Sequence, residues 1–141
     1  MVEKNPLSHL EALLVIGIGG FAGSNLRYFL DLAIPSSLVA TLTVNVIGCC
    51  ALGFLLYEGH YTGIVGDQSL LVLTTGFISS FTTYSTFVVD AVTTEPTLAM
   101  AYVFASYALG FLAVLVGRQL AQWFAKYNGA DPATLDAAGG E

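Results

Sequence analysis

The chain of 141 residues is 55% hydrophobic and 10% charged, with a mean hydropathy of +0.75, which leaves too little polar surface for a soluble domain of that size. The composition calls for a non-aqueous solvent. The net charge of −6 says little about a permeating or bound species, because most acids lie outside the apolar stretches, with Asp131, Asp136 and Glu141 near the C-terminus.

Four uncharged stretches follow in order: Ala12 to Leu26, Leu38 to Tyr57, Ser69 to Val89, and Leu98 to Gly117. Three reach the roughly 20 residues that cross a hydrocarbon core of about 30 Å, and the first does so if Leu10, Glu11 and Arg27 to Leu30 lie in the interfaces. The expected fold is therefore an all-α integral membrane domain of four transmembrane helices over residues 1–126. A tail over 127–141, opening Tyr127-Asn128-Gly129-Ala130-Asp131-Pro132, is rich in breakers and small residues and is expected to be disordered. The links Asp31 to Ser37, Glu58 to Gln68 and Thr93 to Thr97 are short, which makes neighbouring helices antiparallel within one domain.

The first stretch follows Lys4 and resembles a signal peptide in outline, but Arg27 and Tyr28 continue it as an interfacial anchor would, so a retained helix is expected. Its Gly17-Ile18-Gly19-Gly20-Phe21-Ala22-Gly23 looks superficially like a dinucleotide-binding turn. That turn needs alternating strands and soluble helices around it, which this chain does not offer. Gly19-xxx-Gly23 instead fits the small-xxx-small pattern that lets a second helix backbone approach closely in a membrane.

The second stretch carries Asn45 near mid-bilayer, with Thr41 one turn before and Gly48 one turn after on the same face. An amide in hydrocarbon must find a partner. It can serve as interhelical glue, or its N–H donors can face a polar path and stabilise an anion; the residues alone leave both readings open. Cys49 and Cys50 are adjacent and point about 100° apart on a helix, which suits neither a disulfide framework nor a metal pair. His9 and His60 lie near helix ends without ligand partners at useful spacing and read as solvated interfacial residues.

The third stretch is the most informative. Eight Ser or Thr residues fall within the thirteen positions from Thr74 to Thr86, so much of it cannot usefully face lipid. Such a segment tolerates a break in the helix, because hydroxyls can satisfy freed backbone groups, and carbonyls released at a break can bind a cation. A polar seam that only packs helices accounts for the same composition. In the fourth stretch Tyr102, Ser106 and Gly110 recur every fourth residue, giving one face with two hydroxyls and a point of close approach. No Asp, Glu or His lies inside any of the four uncharged runs, which argues against a proton relay. Lys4, Arg118 and Lys126 fall on the side of both termini and Arg27 on the opposite face, a small bias towards cytoplasmic termini.

At these residues the sequence resembles the Fluc (CrcB) family of fluoride channels. The resemblance runs from Gly19-Gly20 and Gly23-xxx-Arg27-Tyr28, through Thr41-Leu42-xxx-Val44-Asn45-xx-Gly48, to Thr82-Thr83-Tyr84-Ser85-Thr86-Phe87. The last segment is similar to the family's Thr-Thr-Phe-Ser-Thr-Phe signature at a broken third helix. The resemblance implies an antiparallel dimer with two narrow fluoride pathways in the cell membrane and a structural Na⁺ at the dimer centre. By motif position the Na⁺ would be held by the backbone carbonyls of Ser79 and Thr82. The pathway aromatics would be Tyr84 and Phe87, the pore amide Asn45, and the pathway hydroxyls those of Thr83, Ser85, Thr86 and Ser106, with Tyr102 beside Ser106. Arg27 would attract the anion or anchor the helix. Two departures stand out: Ser79-Ser80 where the family usually has Gly-Gly, and Tyr84 where it has Phe.

The implied chemistry is physically coherent. Fluoride is small and strongly hydrated, so a pore must replace its water with donors, and amide N–H groups, hydroxyls and the positive edges of aromatic rings can do so. A fixed cation would offset part of the cost of an anion at mid-membrane. The expected function is passive fluoride export without enzymatic activity, by a homodimer of dual topology or a heterodimer with an oppositely oriented paralogous subunit, and without nucleic acid. Two alternatives are a proton-coupled small-molecule exporter, for which Glu11 is the best available carboxylate, and a non-conducting partner subunit of a heterodimeric fluoride channel.

Overall fold

The computed structural model describes the backbone of residues 6–61 and 65–127, with the side chains in those ranges apart from residues 6–9, 59–61 and 67. The expected tail beyond Tyr127, Lys4, and the side chains of His9 and His60 lie outside the described residues.

Helix α1 spans Pro6–Ala33 and α2 spans Ser37–Tyr61. The third crossing is assembled from α3 (Asp67–Leu71), a π-helical stretch (Val72–Ile78), α4 (Ser79–Phe81) and α5 (Tyr84–Thr93), and α6 spans Pro96–Tyr127. Four segments are long and apolar enough to cross a membrane: Leu10–Ala33, Ser37–Glu58, Gln68–Thr93 and Pro96–Tyr127. The chain is thus an all-helical multi-pass membrane protein, with no strand among the described residues.

The helices outrun the uncharged stretches because charged residues are tolerated where a helix leaves the hydrocarbon. Helix α6 shows this best, since 32 residues make a rod of about 48 Å, longer than the bilayer core. Its C-terminal part carries interfacial chemistry: the Arg118 guanidinium lies 5.0 Å from the centroid of the Tyr57 ring, and Trp123 stacks on Tyr127. At the other end, Glu95 accepts hydrogen bonds from the Thr97 and Leu98 backbone N–H groups at 3.1 and 3.2 Å, while Pro96 occupies the first helical position, where no N–H is needed.

The crossings pack in two pairs, α1 along the third crossing and α2 along α6. Hydrophobic driving force between helices is absent in lipid, so close backbone approach must hold them. A Cβ at Gly19 would stand 2.8 Å from the Val72 carbonyl oxygen, and one at Gly23 would collide with the Phe77 carbonyl. From the other side, a Cβ at Gly76 would lie 2.7 Å from the Ile16 carbonyl oxygen. The α2–α6 seam uses the same device: Gly53 faces the Val114 carbonyl, Gly117 faces that of Cys50, and Ala113, Ala121 and Ala125 are buried. The large side chains Leu13, Ile18, Phe21, Phe104 and Phe111 are instead exposed on the outer faces, where lipid would solvate them.

Candidate functional site

The polar residues of the third crossing organise two residues of backbone. Thr82 (φ −79°, ψ 162°) and Thr83 (φ −147°, ψ 123°) are extended between α4 and α5. In an uninterrupted α-helix the Thr83 N–H would bond to the Ser79 carbonyl; here it donates to Asn45 Oδ1 at 2.8 Å, and Asn45 Nδ2 donates back to the Thr83 carbonyl at 3.0 Å. Asn45 therefore acts as a substitute peptide group supplied by α2, and it still has one amide hydrogen to offer. The Thr83 hydroxyl caps α5 by accepting from the Thr86 N–H at 3.2 Å and donates to Thr86 Oγ1 at 3.0 Å. Such a cap satisfies one of the orphan donors at a helix start.

The face of α2 runs along this segment. A Cβ at Gly48 would collide with the Thr82 methyl group, Asn45 reaches Thr83, and Thr41 Oγ1 donates to Asp90 Oδ2 at 2.9 Å. Ser37 Oγ donates to the other oxygen, Oδ1, at 2.7 Å. Asp90 is only 7% exposed, and it lies inside the third crossing. The carboxylate missing from the uncharged runs is thus present just beyond the third run, since a run ends by definition at its first charge. Glu58 is likewise buried, at the end of the second crossing, whereas Glu11 is exposed. Asp90, rather than Glu11, is the membrane-embedded carboxylate nearest the polar residues. It could have been found from spacing, because Thr83, Phe87 and Asp90 stand at i, i+4 and i+7, one face of a helix.

A cleft of about 510 Å³ opens beside the extended pair. Of the residues expected on an ion pathway, Asn45, Thr83, Tyr84, Phe87 and Ser106 line it together. Tyr84 is 71% exposed, whereas Phe87 is buried, with ring centroids 5.9 Å apart. Ser85 lies beside the pair, its hydroxyl 3.4 Å from that of Thr83, and Thr86 is engaged by Thr83. Tyr102 is buried behind Phe87 at 5.4 Å between centroids. Its hydroxyl is sealed from solvent and makes no hydrogen bond of good geometry, a costly state unless something pairs with it. Ser106 Oγ donates to the Tyr102 carbonyl at 2.8 Å. Cys49 lines this cleft while Cys50 lines an apolar groove on another side of α2, so the adjacent thiols point apart.

An alkali cation held by carbonyls would need the Ser79 and Thr82 carbonyls to be released from their helical partners. Two N–H groups that a continuous helix would aim at the Ser79 and Thr82 carbonyls, those of Thr83 and Thr86, are bonded elsewhere. The C-terminal end of a helix also carries partial negative charge. The Ser79 backbone is right-handed helical (φ −64°, ψ −27°) and that of Thr82 extended, so neither position needs the freedom of glycine. Arg27, inside the first crossing and six residues short of the end of α1, donates from Nη1 to the Thr82 carbonyl at a long 3.4 Å, so in the single subunit this carbonyl already has a cationic donor.

These features define a small multi-pass membrane protein whose hydroxyl, amide and aromatic groups converge beside two extended residues in its third crossing. The chain belongs to the CrcB-like protein, Camphor Resistance (CrcB) family, whose profile matches residues 14–118. It is 54% identical over 125 residues to "Fluoride-specific ion channel FluC 1" of Haloarcula marismortui, covering 89% of this chain and 97% of the relative. The identity is 42% over 114 residues to "Fluoride-specific ion channel FluC 1" of Natronomonas pharaonis, covering 80% and 96%. It is 37% over 124 residues to "Fluoride-specific ion channel FluC" of Oceanobacillus iheyensis, covering 83% and 96%.

Proposed function

We propose that the chain is a subunit of a fluoride-selective channel that lets fluoride leave the cell down its electrochemical gradient. The observation that carries this reading is a cleft lined by an amide, hydroxyls and aromatic rings, in a chain so similar to proteins named as fluoride-specific channels. The third crossing works as a broken helix. At the break, Asn45 holds Thr83 with one N–H and keeps the other for an anion, while the rings of Tyr84 and Phe87 narrow the cleft and present positive edges. Ser106, Ser85 and Thr86 supply hydroxyls beside them, and Tyr102 sets a buried O–H near Thr41 and Ser106 with no hydrogen bond of good geometry. Arg27 supplies a positive charge from the last third of α1, beside Thr82, that draws anions towards the break.

The active form is an antiparallel dimer. Thr75, Ser79, Ser85 and Tyr84 are exposed on the third crossing of a single subunit, and hydroxyls are poorly placed against lipid. Burial of that seam against a second subunit resolves the conflict, and brings the Ser79 and Thr82 carbonyls of two chains to a common centre. There they would hold a Na⁺, whose charge when bound favours an anion in the nearby pathway.

The test is purified protein in liposomes loaded with fluoride. Fluoride should leave once a potassium ionophore relieves the membrane potential, chloride should hardly move, and collapse of the pH gradient at clamped voltage should change nothing. The buried Asp90 makes the last arm decisive: efflux that required the pH gradient would replace the channel reading with proton-coupled export, and absence of efflux would remove both.

A further inference from the structure

The geometry points to Tyr107 as a positioning residue that fixes the orientation of the Phe87 ring at the cleft, an inference that rests on the channel reading above. Among the described residues, the rings of Tyr84, Tyr102 and Tyr107 touch Phe87. Those of Tyr84 and Tyr102 lie obliquely to it, at interplanar angles of 34° and 36°. The ring of Tyr107 stands perpendicular, at 85° with centroids 6.0 Å apart. Perpendicular contact sets the positive edge of one ring against the negative face of the other. Rotating Phe87 by a quarter turn about its last side-chain bond would destroy that contact, whereas oblique packing resists the rotation less.

The three contacts also differ in what backs them. Tyr84 sits three residues before Phe87 on the same helix and moves with it; it is 71% exposed and Tyr107 65% exposed, so burial does not separate these two and only the angle and the helix of origin do. Tyr102 is buried behind Phe87 and limits where the ring sits. Tyr107 approaches from α6 and lines the same cleft as Phe87, so it acts across the cleft on the plane of the ring. An aromatic ring donates to an anion only through its edge, and its face repels one. A Phe87 ring free to turn would present its face part of the time, and both flux and discrimination against softer anions would fall.

Tyr107→Leu removes the ring and keeps apolar bulk, and Tyr107→Phe removes only the hydroxyl. Fluoride flux per assembled dimer should fall about three- to ten-fold in Tyr107→Leu, the range expected from loss of one aromatic pair, with a rise in the chloride-to-fluoride permeability ratio. Tyr107→Phe should restore both to within about a factor of two, because the ring pair survives. A second readout needs no transport: with 3-fluorophenylalanine incorporated at position 87, the ¹⁹F spectrum should show two resolved ring orientations in the parent and one averaged signal in Tyr107→Leu. Identical spectra in the two proteins, or equal losses in Tyr107→Phe and Tyr107→Leu, would overturn the assignment. If the parent protein conducts no fluoride, the channel reading fails by itself, and the spectra still decide whether Tyr107 holds the ring.

Discussion

Asn45 shows how one side chain can serve both architecture and chemistry. Its amide oxygen and one amide hydrogen are committed to Thr83, so part of its role is to replace backbone bonds lost at the extended pair. Asn45→Ala leaves the Thr83 N–H and carbonyl unpaired, at a cost of about 1–3 kcal/mol for each buried group. Asn45→Asp keeps an acceptor for the N–H but loses the donor, and its charge, where present, repels fluoride. Alanine should therefore be the more destabilising change by thermal unfolding in detergent, whereas aspartate should be the more damaging to fluoride flux per assembled dimer. Loss of flux that simply tracked loss of stability in both variants would confine Asn45 to the scaffold.

Among the elements, α1 and the third crossing depend on contacts between backbones. Gly23→Ala would press a methyl group into the Phe77 carbonyl, and overpacking of this kind costs about 1–3 kcal/mol. Gly17, six residues earlier on the same helix, has open space where a methyl group would stand, with nothing within 4 Å, so Gly17→Ala should be neutral or gain up to about 1 kcal/mol of helix propensity. Thermal unfolding of the two variants in one detergent should separate them clearly. The start of α6 carries a different device. The Glu95 carboxyl is held below its ordinary range, first by the Thr97 backbone N–H, then by that of Leu98. A carboxyl so depressed stabilises the fold above its unfolded pKa, and that contribution is lost as pH falls through the lower, folded value. The protection factors of the Thr97 and Leu98 amides, taken against the intrinsic exchange rate at each pH, should fall on acidification in the parent protein, and Glu95→Ala should show low protection at every pH.

For the whole molecule, the exposed hydroxyls of the third crossing and the weak charge bias both bear on the proposed antiparallel pairing of two subunits. With Lys4, Arg118 and Lys126 on the side of the termini and Arg27 opposite, the bias is small enough for insertion in both directions. Gly129→Cys, in a chain with Cys49→Ala and Cys50→Ala, should label equally from either side of the membrane if the chain pairs with itself in an antiparallel dimer. Labelling from one side only would require an oppositely oriented paralogue as partner. Co-purification from cells expressing the single chain then decides whether a stable dimer forms at all.

Composition and periodicity were enough to determine the four crossings, since twenty apolar residues in a row have few places to go but a bilayer. The residues themselves also marked Asn45 and the hydroxyl-rich third stretch, whose side chains are unusual in hydrocarbon, while the Thr82-Thr83 pair and the rings of Tyr84 and Phe87 stood out only through the resemblance of their motif to the family signature. Asp90 was open to the same reading by its spacing from Thr83 and Phe87, but spacing could not show that Ser37 and Thr41, 53 and 49 residues away in the chain, satisfy its carboxylate. Tyr107 escaped that reading, since nothing local distinguishes a tyrosine that stands against Phe87 from one that faces lipid. Which amide replaces which backbone bond, and which ring fixes another, depend on contacts between α2, α5 and α6, and such contacts exist only once the helices have packed.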